Sequence, residues 1–162
     1  SIERTPLGTG GGLLLSREKL HSSEPFFILN GDTFFDIKQN EILNYHSNNA
    51  ADMTLSLFEV SHNSRYNLVQ LDDNGFIRSL EKPTKTSKSY LANGGVYLME
   101  PDLLNEYQNH PPKKYSLEDE LLPDLIKKKK RIAGFMSQGD FIDIGLPDDY
   151  HRAKEILSRS HN

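Results

Sequence analysis

Phe26-Phe27-Ile28-Leu29-Asn30-Gly31-Asp32 is the stretch that decides the fold. Its apolar run, stopped by Asn-Gly-Asp, predicts a strand buried on both faces, as in a parallel sheet. In open α/β sheets, ligands bind at the carboxyl ends of such strands. We therefore expect Asp32 to point into a ligand crevice, with Gly31 allowing a ligand close to the backbone. Asn-Gly-Asp is also good turn chemistry anywhere, so an ordinary turn is the alternative.

Outward from this strand, helical and extended patterns alternate. Asn74-Gly75 between two apolar runs predicts an antiparallel hairpin. The first predicted elements are a glycine-rich loop at 8–12 with a short helix after it, the strand at 26–29, a helix at 39–48 and a strand at 52–58. The hairpin at 68–80 and a strand at 91–99 come next, followed by helices near 101–109 and 116–130, the second with a break at Pro123. Strands at 132–136 and 141–142 and a helix at 147–159 complete the order. This order predicts a single α/β domain over 1–162, with a mainly parallel sheet and an added antiparallel hairpin.

Composition limits the classes of partner. The net charge is −4, with 26% charged residues, so no global field attracts nucleic acid or an anionic membrane. Cysteine is absent, which excludes disulfides and thiolate metal sites. No apolar run approaches the ~20 residues of a membrane span. We expect a soluble cytoplasmic protein without nucleic-acid or membrane partners. The basic run at 127–131 is interpreted as solvated cations at a helix C-terminus.

A second carboxylate follows a second strand end, in Phe141-Ile142-Asp143-Ile144-Gly145. Two aspartates from separate strand ends are suitable ligands for Mg²⁺, which takes one or two carboxylates and fills its other positions with water and phosphate oxygens. A helix cap is the alternative for Asp143. The six histidines show no zinc-site spacing.

Two further segments combine polar side chains with chain-breaking residues. Pro83 ends the strand that carries Glu81 and Lys82, so both side chains lie at an edge, where Lys can neutralise a phosphate and Glu can accept sugar hydroxyls. A surface ion pair is the alternative. Asn93-Gly94-Gly95 places glycines inside a strand, which marks a bulge or a close approach by a ligand.

In this order, these segments resemble those of the sugar-1-phosphate nucleotidyltransferases. The resemblance is carried by Pro6-Leu7-Gly8-Thr9-Gly10-Gly11, Leu29-Asn30-Gly31-Asp32-Thr33, Glu81-Lys82-Pro83, Asn93-Gly94-Gly95-Val96-Tyr97, and Phe141 to Gly145 followed by Pro147-Asp148-Asp149-Tyr150. It covers residues 2 to about 155. The phrases at 30–36, 93–98 and 116–120 are most similar to guanylyltransferases of D-glycero-α-D-manno-heptose 1-phosphate, and the mannose-1-phosphate enzymes are the alternative.

The resemblance implies a Rossmann-like three-layer fold and transfer of a nucleoside monophosphate, GMP from GTP, to a sugar 1-phosphate. It implies that Asp32 and Asp143 bind Mg²⁺ and that these two residues and Lys82 are catalytic. It also implies that the nucleotide is bound by Gly8, Thr9 and Gly10, and that the sugar is bound by Asn30, Glu81, Asn93 and Gly94.

The family's N-terminal loop for the triphosphate, with its Arg and later Pro-Lys-Pro, has no counterpart in the sequence. We expect the chain alone to have little or no activity, and its sheet to expose an apolar edge that favours self-association. Two other functions remain open: a non-catalytic nucleotide- or sugar-binding regulatory domain, and a metal-dependent glycosyltransferase, whose usual D-x-D motif Asn30-Gly31-Asp32 does not supply.

Overall fold

The computed structural model describes residues 1–20, 23–61, 66–84, 90–109, 113–145, 149–150 and 152–153. The helices are α1 (Gly8–Ser16), α2 (Gln39–Asn48), α3 (Asp102–Asn105) and α4 (Leu122–Lys127), with a 3₁₀ turn at Arg17–Lys19 and a π-helical turn at Leu117–Leu121. The strands are β1 (Phe26–Leu29), β2 (Thr33–Phe35), β3 (Met53–Glu59), β4 (Leu68–Leu71), β5 (Ile77–Glu81), β6 (Leu91–Met99), β7 (Ile132–Met136) and β8 (Phe141–Asp143).

The main sheet has the order β5-β4-β6-β3-β7, and β1 pairs with β6 beside β4. Strands β1, β3 and β7 run in one direction, as a Rossmann-like sheet requires. However, β6 lies between β1 and β3 and runs opposite to both, so β3–β7 is the only parallel pair among the described strands. The α/β class is confirmed. The prediction of a mainly parallel sheet is corrected, because the other pairs of neighbouring strands described in this sheet are antiparallel.

Helices cover both faces of the sheet, which gives three layers. In β3, Met53, Leu55 and Leu57 face a core formed with α1, α3, α4 and the π-helical turn. The alternate residue Thr54 faces α2, where its hydroxyl lies 2.8 Å from the buried ring of His46. Residues 53–57 are all buried because both faces are covered.

Strand β1 is less buried than its apolar sequence predicts. It is antiparallel to β6; Phe26 and Ile28 pack against the core, and Leu29 is 66% exposed. Among the described strands β6 is its only partner. The prediction of a strand buried on both faces is therefore wrong, because an apolar run indicates an extended segment but not its place in the sheet.

The glycine-rich segment at 8–12 is helical, not the predicted loop. Its glycines are needed for close packing: a Cβ on Gly10 would lie 3.0 Å from the Leu117 amide nitrogen, and one on Gly11 would lie 2.8 Å from the Lys113 carbonyl oxygen. Gly10 and Gly11 amides both donate to the carbonyl of Tyr115. Helix α1 thus begins in direct backbone contact with residues 113–117.

The other predicted elements have mixed outcomes. The hairpin is confirmed, with Gly75 at φ +82°, as is α2. The predicted helix at 116–130 divides at Leu122, beside Pro123. Strand β8 pairs with β2 in a separate ribbon that the sequence did not predict. The predicted helix at 147–159 lies largely outside the described residues, including Pro147 and Asp148.

The basic run after α4 is used within the chain. Lys128 pairs with Asp124 at 2.9 Å, and Lys130 pairs with Glu106. The Arg131 guanidinium donates to carbonyl oxygens at the end of α2. Hydrogen bonds from Lys128 and Tyr107 lower the pKa of Asp124. These contacts agree with a structural role for the run. Within the described part of the chain, no helix is long and apolar enough to span a membrane.

Candidate functional site

The β2–β8 ribbon brings Asp32 and Asp143 together. Thr33 is the cross-strand partner of Asp143, and the Ile144 amide donates to the Asp32 carbonyl at 2.9 Å. A Cβ added to Gly145 would lie 3.1 Å from Oδ1 of Asp143 and 3.8 Å from Oδ2 of Asp32. The two carboxylates therefore converge on the space beside Gly145, and their role as a pair of metal ligands stays a prediction.

The donor set suits a hard divalent cation. No cluster of three or more His, Cys, Asp or Glu that could hold a metal occurs among the described residues, so Asp32 and Asp143 stand as a pair. Such a pair fits Mg²⁺, which leaves most of its coordination to water and phosphate, better than a closed protein-only metal site. Asp32 is exposed, and the space around the neighbouring Gly31 is open to beyond 4 Å. A phosphorylated ligand therefore has room to approach.

A bulge in β6 contacts Asn30, the residue that follows β1. The pairing with β3 shifts between Leu55 and Leu57, and Gly95 has φ +75°. The Asn30 amide donates to the Gly95 carbonyl at 2.8 Å, and a Cβ on Gly95 would lie 2.8 Å from Nδ2 of Asn30. A Cβ on Gly94 would overlap the Phe35 ring. The predicted bulge is confirmed, and it packs β2 against β6.

Asn93 connects the bulge to the buried residue Tyr97 through hydrogen bonds. Its Oδ1 accepts from the Gly95 amide at 3.0 Å, and its Nδ2 donates to the Tyr97 hydroxyl at 2.7 Å. Tyr97 is fully buried, and its hydroxyl donates to Oε1 of Glu118 at 2.8 Å. Burial raises the pKa of Tyr97 strongly, the Glu118 charge raises it further, and hydrogen bonds from Asn93 and Asn30 oppose the rise. The phenol therefore stays protonated.

The Glu118 carboxylate also accepts a hydrogen bond from helix α1. The Thr9 hydroxyl donates to Oε2 of Glu118 at 3.1 Å and accepts from the Leu117 amide at 2.9 Å. Gly8, with φ +73°, and Thr9 are exposed at the start of α1, whereas Gly10 is buried. Two groups of residues that the sequence assigned separately, to the nucleotide and to the sugar, are thus joined through Glu118.

Sequence analysis missed Glu118 and did not single out Tyr97. Glu118 lies in Ser116-Leu117-Glu118-Asp119-Glu120, a pattern typical of helix capping: the Ser116 hydroxyl accepts from the Asp119 amide, and the Ser116 amide donates to Glu120. Acids in a first helical turn rarely indicate a site. The available signal is the resemblance of 116–120 to the same family, which does not by itself indicate a site.

Glu81 and Lys82 lie at the exposed end of β5. The Glu81 carboxylate accepts from the Ser79 hydroxyl at 2.8 Å. Glu81 is opposite Leu68, and Leu68 is opposite Ala92, which precedes Asn93. Two strand spacings, about 10 Å, therefore separate the backbone of Glu81 from that of β6. The fold thus places Glu81, which Lys82 follows, two strands away from Ala92, outside the hydrogen bonds described from Asn93 to Glu118.

Comparison with known proteins agrees with this fold and arrangement. The model of the nucleotidyl transferase family matches residues 1–160. The chain belongs to the nucleotidyl transferase family. It is 34% identical over 152 residues to the mannose-1-phosphate guanylyltransferase catalytic subunit beta of Drosophila melanogaster, covering 93% of this chain and 40% of the relative. It is 32% identical over 158 residues to a putative mannose-1-phosphate guanyltransferase of Sulfolobus acidocaldarius, covering 97% and 42%.

Solved structures share the fold. HddC from Yersinia pseudotuberculosis, complexed with GMP-PN, superposes with a TM-score of 0.78 at 29% identity, covering 96% of this chain and 64% of that one. A putative glucose-1-phosphate thymidylyltransferase from Bacillus anthracis has the same TM-score at 17% identity, covering 96% and 63%, and supports the fold alone. The chain thus spans about two fifths of the length of these two curated relatives and under two thirds of these structures.

Proposed function

We propose that this chain forms the metal- and sugar-binding part of an enzyme that transfers GMP from GTP to a sugar 1-phosphate. The observation that carries the proposal is the convergence of Asp32 and Asp143 beside Gly145. The match of the family model and the similarity to mannose-1-phosphate guanylyltransferases support the reaction class. Mannose 1-phosphate and heptose 1-phosphate are the two acceptors proposed.

The reaction is a displacement at phosphorus. An oxygen of the sugar phosphate bonds to the α-phosphorus of GTP, the bond from that phosphorus to the bridging oxygen breaks, and pyrophosphate leaves with the electron pair. Mg²⁺, when bound, neutralises charge on the phosphates. Asp32 and Asp143 would hold that ion, and Lys82 would meet the negative charge of the sugar phosphate. Asn30, Glu81, Asn93 and Gly94 would orient the sugar. Such chemistry depends on alignment and charge neutralisation.

The nucleotide is proposed to lie at the start of α1. Gly8, Thr9 and Gly10 form the first turn there, and the exposure of Gly8 and Thr9 leaves room for a flat base. The amide of Gly10 is already bonded to Tyr115, so Gly10 acts by allowing close packing, not by donating to the ligand. The absence of cysteine agrees with a location in the cytoplasm, which we infer for the enzyme.

The test is pyrophosphate release from GTP with each sugar phosphate, using the protein translated from its whole reading frame. Asp143→Asn removes a charged metal ligand and is expected to lower the rate on the order of 100-fold or more. Asp36→Asn is the matched control, because Asp36 directly follows β2 at the other end of the ribbon. Binding of Mn²⁺ in the presence of GTP, followed by EPR, should weaken only in Asp143→Asn.

Full activity in Asp143→Asn would remove the metal role. Binding of both substrates without pyrophosphate release would favour a regulatory binding domain instead. The 162-residue chain, assayed beside the whole translated protein, tests the proposal that it is inactive alone.

A further inference from the structure

Glu118 is a side chain that contacts both halves of the proposed site through hydrogen bonds. Its Oε2 accepts from Thr9, on the first turn of α1, at 3.1 Å. Its Oε1 accepts from Tyr97, on β6, at 2.8 Å. Tyr97 in turn accepts from Asn93 at 2.7 Å. A single carboxylate therefore connects the residues proposed for the nucleotide to those proposed for the sugar.

Each donor in this network has a fixed direction. The Thr9 oxygen accepts from the Leu117 amide, so its own proton is directed to Glu118. The Asn93 amide is oriented by the Gly95 amide on one side and the Tyr97 hydroxyl on the other. The two hydrogen bonds that the Glu118 carboxylate accepts are charge-assisted, and such bonds are stronger than neutral ones. Moving either end of the network therefore disturbs the other end.

The backbone beneath Glu118 is firmly held. Glu118 lies on the π-helical turn Leu117–Leu121, a conformation that is rare and frequent at functional sites. Gly10 allows α1 to approach this turn at backbone contact. The half-buried position of Glu118 limits access of water to its bonds. The network therefore has few alternative arrangements, which is the condition for transmitting a preference from one ligand to the other.

We propose that Glu118 is a positioning residue that couples binding of the nucleotide at Thr9 to binding of the sugar phosphate at Asn93. This inference rests on the proposed function. A sugar phosphate that contacts Asn93 further restrains Tyr97, Glu118 and the start of α1 through these hydrogen bonds, so the nucleotide has less remaining freedom to remove when it binds. By linkage the effect is reciprocal: each ligand raises the affinity for the other by the same factor.

The experiment measures that factor directly. The dissociation constant of α,β-methylene-GTP with Mg²⁺, which cannot react, is determined by calorimetry with and without saturating mannose 1-phosphate. We expect the sugar phosphate to tighten binding about fivefold or more in the unchanged protein. Glu118→Gln, which keeps the size but loses the charge, should reduce the factor to near one. Glu120→Gln, the same change two residues away on the helix surface, should keep it.

Thr9→Val removes a second hydrogen bond of the network, at an exposed position. It should also lower the factor toward one. A wild-type factor retained in Glu118→Gln and Thr9→Val, or a factor of one in the unchanged protein while both ligands bind, overturns the coupling and leaves the proposed function standing. Failure of the unchanged protein to bind either ligand overturns both.

Discussion

At the scale of single residues, Gly95 is the position where the site depends most on the absence of a side chain. Its φ of +75° lies in the left-handed region, and a Cβ would lie 2.7 Å from Oγ1 of Thr33 and 2.8 Å from Nδ2 of Asn30. Gly95→Ala is therefore expected to lower the free energy of unfolding by about 2 kcal/mol or more. Urea unfolding measures the change.

Gly31→Ala is the matched control for this substitution. Gly31 has no neighbour within 4 Å of an added Cβ and does not have positive φ. Its replacement should change the free energy of unfolding by less than about 0.5 kcal/mol. Equal destabilisation by the two substitutions would show that the bulge tolerates a side chain, contrary to the structure.

The same scale shows which site residues a sequence can indicate. Asp32 and Asp143 each follow an apolar strand, and that local signal was enough to predict them as a pair. Glu118 has no such signal, because its partners Thr9 and Tyr97 are 109 and 21 residues away along the chain. Its function in the network exists only after α1, β6 and the π-helical turn have packed together.

At the scale of elements, helix α1 contains two glycines, Gly10 and Gly12, that face different kinds of atoms. A Cβ on Gly10 would meet backbone atoms of Ser116 and Leu117 at about 3.0 Å, whereas one on Gly12 would meet only the end of the Glu3 side chain, at 2.7 Å. We expect Gly10→Ala to destabilise the protein by about 1–3 kcal/mol, since α1 must move away from the π-helical turn.

Gly12→Ala should instead change the free energy of unfolding by less than about 0.5 kcal/mol, because the helix propensity gained with alanine offsets the shift of the Glu3 carboxylate, whose Oε2 accepts from the Leu7 amide at 2.9 Å. Thermal or urea unfolding distinguishes the two substitutions by the size of the change. Stabilisation by Gly10→Ala would contradict the close contact between α1 and residues 116–117.

Elements themselves were predicted better than their pairing. The hairpin turn, α2 and the strands predicted at 132–136 and 141–142 follow from local periodicity and turn residues, which short segments encode. The antiparallel pairing of β1 with β6 joins Phe26 to Met99. An apolar run contains no information about the direction of a partner that is far away in sequence, so the parallel prediction for β1 failed.

At the scale of the whole molecule, β1 is an edge strand among the described strands, with an apolar side chain exposed at its end. Among the described strands it pairs only with β6, and Phe26 and Ile28 face the core while Leu29 is 66% exposed. Unpaired amide and carbonyl groups beside apolar side chains favour pairing with another chain. We therefore expect a second copy of this chain to associate at this edge as the concentration rises.

Leu29→Lys places a charge on the edge, which opposes strand pairing and removes apolar surface from the contact. It should raise the dissociation constant of the associated form about tenfold or more, corresponding to a loss of about 1.5 kcal/mol or more of apolar burial. Ile2→Lys is the control, since Ile2 is 91% exposed but lies outside the strand. Sedimentation velocity over a concentration series gives both constants. The β1 edge has no role in self-association if the unchanged chain stays entirely monomeric at high concentration. The same conclusion follows if Leu29→Lys associates as strongly as the unchanged chain.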